Sequence, residues 1–74
     1  MMTHLIIDSE HDMEVNITYL TELAKKGGYR KHIDISFPSQ LFAATFMENL
    51  VKNFSEAGVS KDCEMKLDIF VPEE

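Results

Sequence analysis

The chain is nearly without cysteine: Cys63 is its single thiol in 74 residues. One thiol can form neither an internal disulfide nor a Cys-rich zinc site, which points to a reducing compartment and a cytoplasmic protein. Its acidic neighbours, Asp62 and Glu64, also argue against a reactive thiolate, so Cys63 reads as a small packing residue. Long apolar runs are missing as well. No stretch approaches the roughly 20 apolar residues of a membrane-spanning helix. The short run in MMTHLIID has neither the length nor the preceding basic residues of a signal peptide, and no membrane partner is expected. Basic residues are scarce: Lys and Arg number 7 against 13 Asp and Glu, giving a formal charge of −6 and a pI near 4.9. That balance disfavours a sequence-independent duplex binder, whose affinity comes from phosphate neutralisation, and no direct duplex binding is expected. It favours solubility or a basic partner, and it admits an acidic decoy that occupies the nucleic-acid site of such a partner.

Tryptophan is absent and glycine and proline are few, so Gly27, Gly28, Gly58, Pro38 and Pro72 punctuate the chain clearly. Apolar residues make up 45% and charged ones 27%, enough for a packed core and against disorder. The expectation is one small globular domain over 1–74. A domain this small buries only about 60% of the surface its unfolded chain exposes, so its stability is marginal.

The stretch between Pro38 and Gly58 organises the rest. Ser39 is an N-cap, and Gly58 can end the helix in the left-handed conformation. At about 100° per residue, Ala43, Phe46, Met47, Leu50, Phe54 and Ala57 share one stripe, with Glu48, Lys52, Ser55 and Glu56 opposite. Phe42 lies beyond one edge of the stripe, and Ala44 and Val51 lie beyond the other. So wide an apolar arc either packs under a neighbouring helix or meets a second chain. Leu41, Phe42, Ala44 and Val51 are therefore the candidate interface of a homodimer or of a complex with another protein.

Thr3 to Asp8 suits a strand with Leu5 and Ile7 facing one way. From Ser9 to Gly28 two periods compete. Met13, Val15, Ile17 and Tyr19 alternate like a strand, whereas Met13, Ile17, Leu20 and Ala24 fall on a helical stripe. Ser9 with Asp12 caps its start, and Lys25, Lys26 and Gly27 close it. The helix, from about Glu10 to Lys26, accounts for more residues. His32 to Phe37 alternates strictly, with Ile33, Ile35 and Phe37 on one face and His32, Asp34 and Ser36 on the other. Glu64 to Val71 does the same, with Lys66, Asp68 and Phe70 opposite the inward Met65, Leu67, Ile69 and Val71. The fold class is α+β, a two-layer sandwich of about three strands with two helices on one face, in the order β-α-β-α-β. The alternative, β-β-β-α-β, makes a strand of residues 13–20. Either way one sheet face stays open, presenting His32, Asp34, Lys66, Asp68 and Phe70.

Three constellations could carry chemistry. Lys26, Gly27, Gly28, Tyr29, Arg30 and Lys31 combine paired glycines, cations and a ring, which suits an anion or nucleotide cradle. Their spacing matches neither common phosphate-loop fingerprint, and the same residues serve as a basic helix end and connector. His4, Asp8, His11 and Asp12 offer imidazoles and carboxylates, but also read as the acidic first turn of a helix. Neither a metal nor a cofactor is assigned. His32 and Asp34, with Asp68 or Lys66 beside them if the last strands pair, could exchange protons. No nucleophile accompanies them, and no catalytic residue is assigned.

The segment from His32 to the C-terminus, an apolar strand ending in Pro38 and leading into a long helix, resembles the opening strand and helix of the anti-sigma-factor serine kinases. The likeness covers barely half of the chain and stops before any nucleotide-binding motif. The family would place a helix where MKLDIFVP alternates like a strand. It implies no function and no residue roles. The expected function is a small acidic module that works by binding, to itself or to another protein. A small enzyme or anion-binding protein built on the Gly27–His32 loop is the alternative.

Overall fold

Two serines open the two helices in the same way. In the computed structural model, which describes residues 2–73, Ser9 and Ser39 are both extended, and each Oγ accepts a hydrogen bond from the N–H three residues on, Asp12 at 3.1 Å and Phe42 at 3.2 Å. These caps satisfy donors that a helix start leaves free. The elements are β1 (Met2–Ile6), α1 (Glu10–Lys25), β2 (Lys31–Ser36), α2 (Gln40–Ala57) and β3 (Met65–Phe70), the β-α-β-α-β order expected from the alternating periods.

The helical period wins in α1 because it buries the larger set. Met13, Ile17, Leu20, Leu23 and Ala24 enter the core, while Val15 and Tyr19, which a strand would have turned inward with Met13, are exposed. Residues 13–20 are therefore helix, and the β-β-β-α-β alternative does not form.

The three strands are parallel and lie in the order β1-β2-β3, with β2 central. Both connections advance in one direction, and right-handed crossovers then put both helices on the same side. Ile33, Ile35 and Phe37 on that side are buried, and the core joins them to Ile7, Leu20, Phe46 and Leu50. The Phe37 and Phe46 rings meet at a centroid distance of 5.2 Å and a tilt of 56°, a favourable edge-on approach between sheet and helix. Residue 71 keeps the inward alternation of β3, and Val71 packs against the same core. Residues 65–70 are strand, where the anti-sigma-factor kinases would carry helix.

β1 is shorter than the run from Thr3 to Asp8, yet pairing continues past its end: the Ile7 N–H donates to the Ser36 carbonyl at 3.0 Å, and Phe37 N–H to Phe70 at 3.0 Å. Among the described residues, none of the helices covers the opposite sheet face. Among the described residues no helix is long and apolar enough to cross a membrane.

Candidate functional site

Strand register decides which side chains meet on the uncovered face. In the parallel pairing His4 lies beside Asp34 and Asp34 beside Asp68; one row on, Ile6 lies beside Ser36 and Ser36 beside Phe70. His32 precedes Asp34 by two residues and so shares its face. Three of these groups converge. The His32 Nε2 lies 2.5 Å from Asp68 Oδ2 and 3.2 Å from Asp34 Oδ1. In the tautomer with Nε2 protonated, its single N–H serves Asp68, the nearer of the two carboxylates. Asp34 Oδ1 is buried and has no hydrogen-bond partner. Lys66 Nζ stands 3.9 Å from Asp68 Oδ2, and on the β1 side His4 Nε2 meets Ser36 Oγ at 2.8 Å. Among the described residues, His32, Asp34 and Asp68 are the group whose possible metal-ligand atoms all lie within 4.8 Å of one another.

The other histidine and acid candidates do not converge in this way. Asp8 and Asp12 pair at the start of α1, where the Asp8 N–H also reaches Asp12 Oδ2 at 3.4 Å. The hydrogen bond between their carboxyls, reinforced by charge repulsion from Asp12, holds Asp8 above the ordinary carboxylate range. The same bond holds Asp12 below it. The two shifts run in opposite directions, so the carboxyls titrate apart. His4 is engaged with Ser36, a sheet neighbour.

The Lys26–Lys31 stretch is a left-handed turn. Gly27, Gly28, Tyr29 and Arg30 have φ of 97°, 78°, 52° and 55°, four consecutive residues in the region that side chains disfavour. The turn is pinned to the residue before β3: Arg30 N–H donates to the Glu64 carbonyl at 2.9 Å, Glu64 N–H returns to Gly27 at 3.1 Å, and the Arg30 Nε pairs with Glu64 Oε2 at 2.7 Å. The Lys26 and Gly27 N–H groups close α1 on Leu23 and Ala24, and Lys31 N–H bonds Gly28. These donors are spent on the fold, so an anion cradle here would have to displace them. Gly28 sits so close to β3 that a Cβ would come within 2.5 Å of the Glu64 carbonyl oxygen.

The four α2 residues singled out for an interface do not form one patch. Phe42 is partly buried against the core and lines a groove of about 660 Å³ between α1 and α2. Ala44 and Val51 lie roughly 160–180° around the helix from it, on the flank away from α1, at 100° per residue. Leu41 (75% exposed) and Val51 (63%) are open to solvent. The groove has Met13, Ile17 and Phe42 as its apolar floor, and Glu10, Glu14 and Glu56 outnumber Lys52 among its charged lining residues.

Sequence reasoning missed two members of the open face, His4 and Ile6. Alternation in THLII supplies the signal, because Leu5 and Ile7 facing inward turn their neighbours outward. The left-handed Tyr29 and Arg30 had no such signal beyond the two glycines before them. Comparison of the chain with protein-family models, with curated proteins and with solved structures finds no match.

Proposed function

We propose that this chain is a small acidic cytoplasmic module that works by binding, and that it associates with a second copy of itself through the open face of its sheet. One observation carries the reading. All-parallel sheets are found almost only with both faces covered, and here one face is bare. On that face Ile6 is 67% exposed and Phe70 50% exposed, on either side of the small Ser36 in a single cross-strand row.

Charge favours a second copy on this face over the helix layer. Residues 8–26 and 40–57, which form that layer, hold seven acids against three bases, so two copies repel one another there. The bare face holds Asp34 and Asp68 against Lys66, with two imidazoles, and is close to balance. Three strands about 4.8 Å apart and about 20 Å long give a footprint of about 300 Å² a side, below that of stable specific interfaces and in the range of weak contacts. The association is therefore reversible and concentration-dependent. Cys63 as a lone thiol fits a reducing compartment.

The acidic groove between the helices favours a second reading, a basic partner segment with an apolar anchor seated on Met13, Ile17 and Phe42. Such binding weakens steeply with salt, whereas self-association through the sheet face does not.

Sedimentation equilibrium over a wide concentration range separates these outcomes. The wild type forms dimers, Phe70→Glu abolishes them, and Val51→Glu on the far flank of α2 leaves them intact. A monomer at every concentration refutes self-association. Loss of dimer in Val51→Glu with Phe70→Glu unaffected moves the interface to α2.

A further inference from the structure

The His32, Asp34 and Asp68 side chains hold more acceptor capacity than the protein satisfies. One imidazole N–H faces two carboxylates, bonds Asp68, and leaves Asp34 Oδ1 buried at 3.2 Å without the alignment of a hydrogen bond. A buried carboxylate oxygen without a partner is costly, and a cation is the partner that answers two carboxylates at once.

We propose that His32 Nε2, Asp34 and Asp68 form a binding site for a divalent transition ion of the Zn²⁺ class. The donor set decides the class of ion. One nitrogen with two carboxylates suits Zn²⁺ and its neighbours; Ca²⁺ and Mg²⁺ prefer all-oxygen shells, and no thiolate is present to select softer ions. The spacing fits as well. Ligands about 2.0–2.1 Å from a tetrahedral ion lie ~3.4 Å apart. The 3.2 Å between His32 Nε2 and Asp34 Oδ1 is already near that value, and the 2.5 Å contact to Asp68 needs to open by about 0.9 Å to reach it. Both carboxylates stand opposite each other on paired strands, and His32 is on the same strand as Asp34, so the backbone positions are fixed by the sheet. The remaining coordination positions point away from the helices, toward the bare side, where water or a ligand from a docking partner completes the shell.

Lys66 is the built-in competitor. Its Nζ lies 3.9 Å from Asp68 Oδ2, and its side chain is 70% exposed, free to turn into solvent when an ion takes its place. Metal binding and ammonium pairing at Asp68 Oδ2 therefore compete, which gives the test a direction that a purely internal ion-pair cluster does not share.

The experiment is isothermal titration of the full chain with Zn²⁺, and optical titration with Co²⁺, at protein concentrations where sedimentation shows monomer. Its result is then independent of the self-association argued above. One saturating equivalent is expected, with His32→Gln and Asp34→Asn each weakening it about tenfold or more. Lys66→Gln, an exposed change that leaves the fold alone, is expected to tighten binding. His11→Gln and Cys63→Ser, outside the cluster, are expected to leave it unchanged. Thermal unfolding with and without Zn²⁺ guards against misfolded variants: the ion raises the wild-type midpoint and fails to raise that of Asp34→Asn. Absence of saturable binding, unchanged affinity in Asp34→Asn, no gain in Lys66→Gln, or loss in His11→Gln or Cys63→Ser overturns the assignment.

Discussion

Replacing Gly28 by alanine tests how firmly the left-handed turn is tied to β3. Two costs add. An alanine held at a φ of 78° carries the left-handed penalty of roughly 1–2 kcal/mol. Its Cβ would also lie 2.5 Å from the Glu64 carbonyl oxygen, a backbone atom that must move. That atom accepts the Arg30 N–H, and the same residue donates to Gly27, so moving it weakens two hydrogen bonds worth about 1 kcal/mol each. The expected loss is about 3–4 kcal/mol, a large part of the roughly 4–11 kcal/mol available to a chain of this length. The matched control is Gly27→Ala. Gly27 has a φ of 97° but nothing within 4 Å of an added Cβ, so it pays the conformational penalty alone, about 1–2 kcal/mol. Urea unfolding followed by circular dichroism measures both, with an unchanged slope showing that stability alone has shifted. Equal losses in the two variants would refute the close approach of Gly28 to Glu64. The turn also precedes Lys31, whose pairing with Met65 starts the β2–β3 register. A Gly28→Ala protein that still folds should therefore show disturbed His32 and Asp68 resonances as well.

Two further outcomes follow from buried and titrating groups. Thr21 Oγ1 is buried in α1 without a hydrogen-bond partner, so Thr21→Val, of nearly the same shape, is expected to raise stability by about 1 kcal/mol in urea unfolding; a loss would mean that the hydroxyl is satisfied. Asp8, raised above 3.8, stabilises the fold at pH below 3.8 and loses that contribution as pH climbs through its folded value; Asp12, lowered, stabilises above 3.8 and loses its share as pH falls through its own. Carboxyl NMR titration should show the two separated, and Asp12→Asn should bring Asp8 back toward 3.8; coincident titrations in the wild type would refute the interaction between them.

Much of the architecture was legible because its signals are local. Ser9 and Ser39 announce helix starts, Gly58 and Gly27 announce ends, and alternation marks the inward residues of HIDISF and EMKLDIF, except that Ile69, expected inward, stays 38% exposed outside the core. Strand neighbours are another matter, since alternation says which face a side chain takes and nothing about what stands beside it. The approach of Asp34 to Asp68 was conditional on β2 pairing with β3, and that pairing is set by α2 crossing over the sheet. The wide arc of α2 left two readings open for a similar reason. Periodicity places Phe42 and Val51 on opposite margins, but only the position of α1 shows that Phe42 is the one covered. The consecutive positive φ values at Tyr29 and Arg30 arise from contacts with Glu64, more than thirty residues away, and no local pattern encodes them.

The sheet has a consequence for how the chain reaches its native state. Met2 pairs with His32 and Lys31 with Met65, so every strand pairing closes a loop of about thirty residues, and no hairpin offers a cheaper first step. Chains whose sheet contacts are all distant in sequence fold slowly for their size. The helices, with their own caps, can form early, while β2 must wait to receive an edge strand on each side. During that interval the apolar run of β2, Ile33, Ile35 and Phe37, lies open in the nascent chain, and the acidic helices beside it supply the charge that keeps such intermediates apart.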